Sequence, residues 1–220
     1  MCGRYDIHSD IKIIETRFGV KYTDEPLAPH YNAAPSQYLP VISDDPAHMS
    51  LAQWGFLPHW KKPDTALRAM INARAETIEQ KPLFRAAFKK NRCLIPADAF
   101  YEWQRSGRHK IPYRIGLKTD EPFVFAGIWG SYTDTLGIET PTFAILTTEP
   151  NSLLETIHNR MPVILRQEDE HDWLNPRLSL RDAKHLLIPY PAERMQAYEI
   201  STRINAPTYN LPNVIEPIKY

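Results

Sequence analysis

The sequence predicts an α+β fold, a single compact domain over residues 1–220 built on mixed or antiparallel sheets with short helices at its flanks. Three observations carry this. Strand-like apolar runs fill the middle of the chain, helical patterns lie toward its ends, and 20 prolines against 8 glycines interrupt any long regular element. Coiled coils and solenoids are thereby excluded, and no internal repeat is visible.

Taken in order, Ser9-Asp10 ahead of Ile11, Ile14 and Phe18, with Gly19 behind them, predicts a capped amphipathic helix with a glycine stop. The stretch Pro26 to Pro35 is expected to be irregular. Tyr38–Ile42 and Ser50–Trp54 read as strands joined by the turn Ser43-Asp44-Asp45-Pro46. Arg92–Pro96, Phe100–Trp103, Pro112–Leu117, Phe123–Gly130 and Thr142–Thr148 continue the strand series, separated by turns such as Ser106-Gly107. Ser152–His158, Glu168–Leu174 and Ser179–Leu187 read as helices, and the tail 207–220 as proline-broken and irregular.

Composition narrows the class. With 220 residues, 43% hydrophobic and 24% charged, the chain can bury roughly 70% of its unfolded surface without a disulfide or metal staple. No apolar run nears the ~18 residues of a membrane span, and charges at Arg4 and Asp6 exclude a signal peptide. Cys2 and Cys93, far apart and without secretory context, are expected as reduced thiols in a cytoplasmic protein. Net charge is zero, but residues 68–114 hold 11 basic against 4 acidic side chains. That excess reads either as a solvated basic face or as the footprint of a polyanion.

Most standard chemistries are missing. The eight histidines are widely spaced and no CxxC occurs, so no metal is expected. Without GxxxxGK[ST] or GxGxxG no nucleotide cofactor is expected, and GxSxG is absent. Ser9 and Lys12 match SxxK, but a helix cap followed by a surface lysine explains them. What remains is six dense polar-aromatic segments: Met1-Cys2-Gly3-Arg4-Tyr5, Tyr31-Asn32-Ala33-Ala34-Pro35, Trp54 to Trp60, Ile71 to Thr77, Ala97 to Trp103, and Ile157-His158-Asn159-Arg160-Met161-Pro162.

In this order, with cysteine directly after the initiator methionine, the six segments resemble the SRAP family of SOS-response-associated peptidases, also known as abasic-site processing proteins. The resemblance runs from Cys2 to about Ile200. It implies a mixed α+β fold with a positively charged groove leading to the N-terminus. It also implies a DNA-damage-response protein that crosslinks covalently to abasic sites in single-stranded DNA, with self-removal of Met1 behind the peptidase name. The residues do not decide between self-removal and a cellular aminopeptidase.

The chemistry of Cys2 supports that expectation. Once Met1 is removed, Cys2 carries an α-amine and a thiol on adjacent carbons, and a 1,2-aminothiol condenses with an aldehyde to a five-membered thiazolidine. An α-amine (pKa ~8) is far more often free base at neutral pH than lysine (~10.4). Cys93 has its nitrogen locked in a peptide bond. An abasic deoxyribose with its ring open supplies the aldehyde.

Further roles follow from the resemblance. Asn72 would orient the reacting end of Cys2 or the sugar, Glu102 would shuttle protons in Schiff-base formation, and His158 would protonate the ring oxygen or leaving hydroxyl. Singly, these three read as well as a turn asparagine, an edge-strand glutamate and a histidine at a helix C-terminus. For DNA, Arg4, Arg74, Lys81 and Arg85 are expected on phosphates, with Lys89, Lys90 and Arg92 extending the track. Trp54 and Trp103 are expected to stack on bases, and Asn32 and Pro35 to line the same interface. Trp129 and Trp173 are assigned to core packing. Pro82 stands near where some relatives carry an arginine. No membrane, no clamp-docking tail and a monomer are expected. Two alternatives stay open: a thiol hydrolase acting on proteins or amides through Cys2, and a non-enzymatic single-strand DNA-binding module.

Overall fold

The structure, a computed structural model, describes residues 2–23, 27–43, 45–59 and 68–219. Met1, Pro26, Asp44 and Trp60, all used in the sequence reading, lie outside the described residues.

Strands dominate, and they form two sheets. The larger one contains β4 (Tyr38–Ile42), β5 (His48–Trp54), β7 (Arg92–Ala97), β10 (Phe123–Thr133) and β11 (Glu139–Thr148). They run in the order β11-β10-β7-β4-β5, and parallel pairing of β5 with β11 closes the ring into a barrel. Closure removes the exposed edges that open sheets must protect. The barrel interior is apolar: Trp54, Ile95, Phe125, Phe143 and Ile145 are all buried. Gly127 on β10 is required there, because a Cβ would overlap Ile95 Cδ1 and sit 2.9 Å from Cys93 Sγ. Cys93 is therefore a packing residue of the barrel wall.

The second sheet has the order β13-β9-β8-β1-β3, from Met195–Glu199, His109–Leu117, Ala99–Ser106, Tyr5–Ile7 and His30–Ala33 respectively. The chain passes from barrel to sheet at Asp98, between β7 and β8. Its carboxylate accepts from the backbone N–H groups of His8 and Ser9, at 2.6 and 2.9 Å, and from the Ser9 hydroxyl. These bonds fasten the end of β1 to the crossover. Asp6 on β1 is likewise buried, accepting from Arg114 Nε at 2.7 Å and from the Tyr101 hydroxyl at 2.8 Å.

Most elements fall where hydrophobic period and turn residues put them. Helix α1 (Ile11–Phe18) is capped by Asp10, whose side chain accepts from the Lys12 N–H, and it ends at Gly19 with φ +68°. Two expectations need correction, and one helix falls where the sequence reading assigns no element. Helix α2 (Pro82–Lys90) lies in the basic stretch. Pro82 opens it and Phe84, Ala87 and Phe88 pack inward, so the apolar spacing under the charges decides the structure. His30–Ala33 is a strand rather than irregular chain, because β1 supplies its ladder. Ser152–His158 forms only a single 3₁₀ turn, Leu154–Thr156, whose Leu154 N–H is taken by the Asn151 side chain. The chain must enter the two-residue strand β12 (Met161–Pro162) soon after, which leaves no room for further turns.

Candidate functional site

The site forms where β1 runs out. Tyr5 pairs with Phe100 and Asp6 with Ala99, and the Tyr101 N–H donates to the Arg4 carbonyl at 3.0 Å. Continuing that antiparallel register brings Cys2 abreast of Trp103. Beyond this point the edge of β8 has no further strand beside it among the described residues, and a cavity of about 530 Å³ opens there. Glu102, Trp103, Arg105, Lys110, His158 and Asn205 line it.

Cys2 is fully buried at this end of the sheet. Its thiol donates weakly to the Arg4 carbonyl at 3.6 Å. Burial, then the charge of Glu102, pushes the thiol's pKa well above its ordinary value. Asn72 comes from a different sheet: it starts strand β6 (Asn72–Arg74), which pairs in parallel with β11. Its side-chain amide donates to the Cys2 carbonyl at 2.8 Å, while its own carbonyl oxygen is buried without a partner among the described residues. One half of the Asn72 amide holds the backbone of Cys2. The other half is an unused acceptor.

Glu102 is 3% exposed, and burial raises its carboxyl above the ordinary carboxylate range despite the opposing pull of His158. Its Oε2 lies 3.9 Å from His158 Nε2. His158 Nδ1 faces the backbone of Arg160, 3.1 Å from its nitrogen and 3.2 Å from its carbonyl oxygen, which turns Nε2 toward Glu102. Arg160 is itself anchored by Glu76 and by the Thr147 carbonyl, at 2.5 and 2.6 Å. The sequence reading gave Arg160 no role, although it lies within the segment that singles out His158. His158 follows a 3₁₀ turn and so has no α-helix dipole to complement.

The remaining expected residues divide. Arg4 donates to Asn32 Oδ1 at 2.7 Å and to the Ile204 carbonyl at 2.9 Å. Asn32 is 1% exposed, and its amide donates to the carbonyls of Ala206 and Tyr209, both at 3.0 Å. It is a clamp between β3 and the C-terminal segment, which corrects its assignment to the DNA interface. Trp54 is also corrected. It is 0% exposed, stacked on Phe143 and edge-on to Tyr5, and its indole N–H donates to the Ile71 carbonyl at 2.9 Å. It offers no face to a base and instead fixes the residue before Asn72.

Trp103 is half-buried on the cavity rim, with Nε1 donating to Asn205 Oδ1 at 2.8 Å. Pro35 is half-buried on the loop after β3, while Arg74, Lys81 and Arg85 are exposed, as are Lys89 and Lys90. Arg92 is corrected to a structural role, for its guanidinium is buried against the carbonyls of Trp173 and Asn175. Trp173 is fully buried in the core and Trp129 is half-buried, packed against it, as expected.

Among the described residues one cluster could offer a cation three ligands: Asp6, His8 and Asp98. Protein donors already occupy both carboxylates, and His8 supplies the positive charge, 3.2 Å from Asp98 and 3.8 Å from Asp6. The two carboxylates raise its pKa to about 9. The cluster ties β1, which Cys2 precedes, to the start of β8, which carries Glu102.

Comparison with known proteins identifies the family. Residues 1–207 match the family described as SOS response associated peptidase (SRAP). The chain is 43% identical to the abasic site processing protein YoqW of Bacillus subtilis, with 98% of this chain and 99% of YoqW covered. It is 27% identical to the abasic site processing protein YedK of Escherichia coli, with 99% and 100% covered. A crystal structure of a protein from Bacteroides thetaiotaomicron superposes with a TM-score of 0.92 at 33% identity, covering 99% of this chain and all of that one. The chain belongs to the SRAP family.

Proposed function

We propose that this protein acts in the DNA-damage response by processing abasic sites, forming a covalent link to single-stranded DNA through Cys2 after Met1 is removed. The arrangement of Asn72 on the Cys2 carbonyl, with a spare buried acceptor beside it and the Glu102–His158 pair nearby, is the observation that carries this reading. The names of the relatives, abasic site processing proteins, support it.

The steps follow from the groups present. Ring opening of the abasic deoxyribose exposes an aldehyde as the anomeric hydroxyl gives up its proton and the ring oxygen gains one, the second transfer being assigned to His158. The free amine of Cys2 adds to the aldehyde carbon, forming a carbinolamine. Glu102, whose burial raises its carboxyl above the ordinary carboxylate range, donates a proton to the departing hydroxyl, and water leaves as the Schiff base forms. The thiol then adds its sulfur to the same carbon while its proton passes to nitrogen, closing a thiazolidine. One water is lost overall, and no cofactor or redox partner enters. The peptidase activity in the family name is assigned to the release of Met1 that frees the amine.

The thiol-hydrolase alternative fits less well. A nucleophilic thiolate needs a lowered pKa and a base in contact. Here burial raises the thiol's pKa, and His158 Nε2 faces Glu102. The direct test incubates the mature protein with abasic single-stranded DNA and looks for a band that survives denaturation. Its presence, lost in Cys2→Ala, supports the reading; turnover of a peptide substrate with no such band favours the hydrolase.

A further inference from the structure

The hairpin that carries Glu102 and Trp103 continues into a feature that the chemistry at Cys2 does not use. β8 and β9 are joined at Gly107-Arg108, with Gly107 at φ +59°, the position a II′ turn reserves for glycine. Residues 105–110 read Arg-Ser-Gly-Arg-His-Lys, all exposed, with no acidic side chain among them. Arg105 sits directly opposite Lys110 in the ladder. Like charges facing each other across two strands destabilise a sheet. Neither Arg105, Arg108 nor Lys110 has an ion pair among the described residues to relieve this.

The pair also has a definite location. Side chains alternate along a strand, so Arg105 lies on the same face as Trp103, and Lys110 on the same face as Pro112 opposite it. Arg105 and Lys110 line the cavity that holds Glu102, Trp103 and His158. Two unpaired cations therefore stand at one wall of the site, beyond the tryptophan on its rim. An occupant that brings regularly spaced negative charge past that wall would turn the repulsion into attraction.

We propose that Arg105 and Lys110, with Arg108 at the turn, form a phosphate clamp that grips the single-stranded DNA as it leaves the cavity past Trp103. This rests on the reading of the site given above and extends the DNA path to the tip of the β8–β9 hairpin.

The test measures equilibrium binding of unmodified oligothymidylate, which has no aldehyde to crosslink, over a range of salt concentrations. The wild type is compared with the double variant Arg105→Ala/Lys110→Ala and with Arg105→Lys/Lys110→Arg. On single strands each phosphate contact contributes about 0.7 to the slope of log affinity against log salt. The alanine variant is expected to lose about 1.4 of slope, while the charge-conserving variant keeps it. Relief of the cross-strand repulsion is expected to leave the melting temperature of the alanine variant at or above that of the wild type. An unchanged slope, or a lower melting temperature with unchanged slope, overturns the clamp. A parallel crosslinking assay with an abasic oligonucleotide separates the two claims. If the wild type crosslinks and the slope is unchanged, only the clamp fails; if the wild type forms no crosslink, the reading of the site fails.

Discussion

Asn72 reaches from the strand paired with the barrel to the segment that precedes the first strand of the other sheet and donates at 2.8 Å to the carbonyl of Cys2, its own carbonyl oxygen buried without a partner among the described residues. A buried unpaired acceptor is costly, on the order of 1–3 kcal/mol, and such groups in native proteins mark sites of strain or function. In the proposed reaction that oxygen is available to the sugar or to the reacting nitrogen. Asn72→Ala is expected to slow crosslinking by roughly a hundredfold, the penalty of a misplaced reacting group. Its stability should change little, because the lost hydrogen bond and the removed orphan offset each other. Single-turnover crosslinking and thermal melts check both. A variant that crosslinks at the wild-type rate would remove Asn72 from the site.

Glu102 is a carboxyl held partly against its charge. Because its pKa is raised in the folded protein, the folded state binds more protons than the unfolded one above the ordinary carboxylate range. Wild-type stability is therefore expected to fall as pH rises from about 4.3, the unfolded value, through the raised folded value, and then to level off. Glu102→Gln should lack this fall and be the more stable protein at neutral pH. Its crosslinking should slow by about 10²–10⁴, the usual contribution of a general acid–base group. Calorimetry across pH, paired with crosslinking rates, reads the two effects. Less stability at neutral pH would mean that the ionised carboxylate is a structural partner.

The two tryptophans expected on DNA now separate. Trp54→Ala removes a fully buried indole and should cost about 3–5 kcal/mol of stability. Trp103→Ala removes a rim side chain and should cost about 1–3 kcal/mol of affinity for single-stranded DNA, with a small effect on melting. Denaturant melts and binding isotherms on both variants suffice. A strong binding defect in a well-folded Trp54→Ala protein would contradict the placement.

His8 gives the fold a second pH dependence of the same sign, set at higher pH. The carboxylates of Asp6 and Asp98 raise its pKa to about 9, against about 6.5 unfolded. Its contribution is full below about pH 6.5 and is lost as pH rises through about 9. His8→Gln should therefore be less stable than wild type near pH 6, by roughly 1.5–3 kcal/mol at most, and the gap should close above pH 9. A gap independent of pH would show that the imidazole is not held as a cation.

Much of this was legible in the sequence, and the rest was hidden for physical reasons. Helix α1 and strand β4 are local: a cap, a glycine and an apolar period fix them within ten residues. Strands β1, β3 and β6 are short and exist because distant partners complete their ladders, which no local pattern shows. Cys2, Asn72, Glu102 and His158 stand in dense motifs, which is why the sequence singles them out. Asn32 was assigned to DNA because motif membership does not distinguish a residue that touches a ligand from one that holds the loop behind it. Trp54 failed for the same reason. Arg105 and Lys110 carry no motif, and their meaning appears only once the register sets them opposite each other.

The central claim is that the free aminothiol of Cys2 is the reacting group, and one measurement addresses it most directly. A protein with a non-removable residue before Cys2 is incubated with abasic single-stranded DNA beside the mature form, and both are resolved under denaturing conditions. Acylation makes the nitrogen an amide whose lone pair is delocalised, so it cannot add to the aldehyde; the thiol alone forms only a reversible hemithioacetal. The extended protein is expected to bind the DNA without covalent linkage and to give no stable band, while the mature protein gives one. A stable crosslink formed by the extended protein as fast as by the mature form would contradict the aminothiol mechanism.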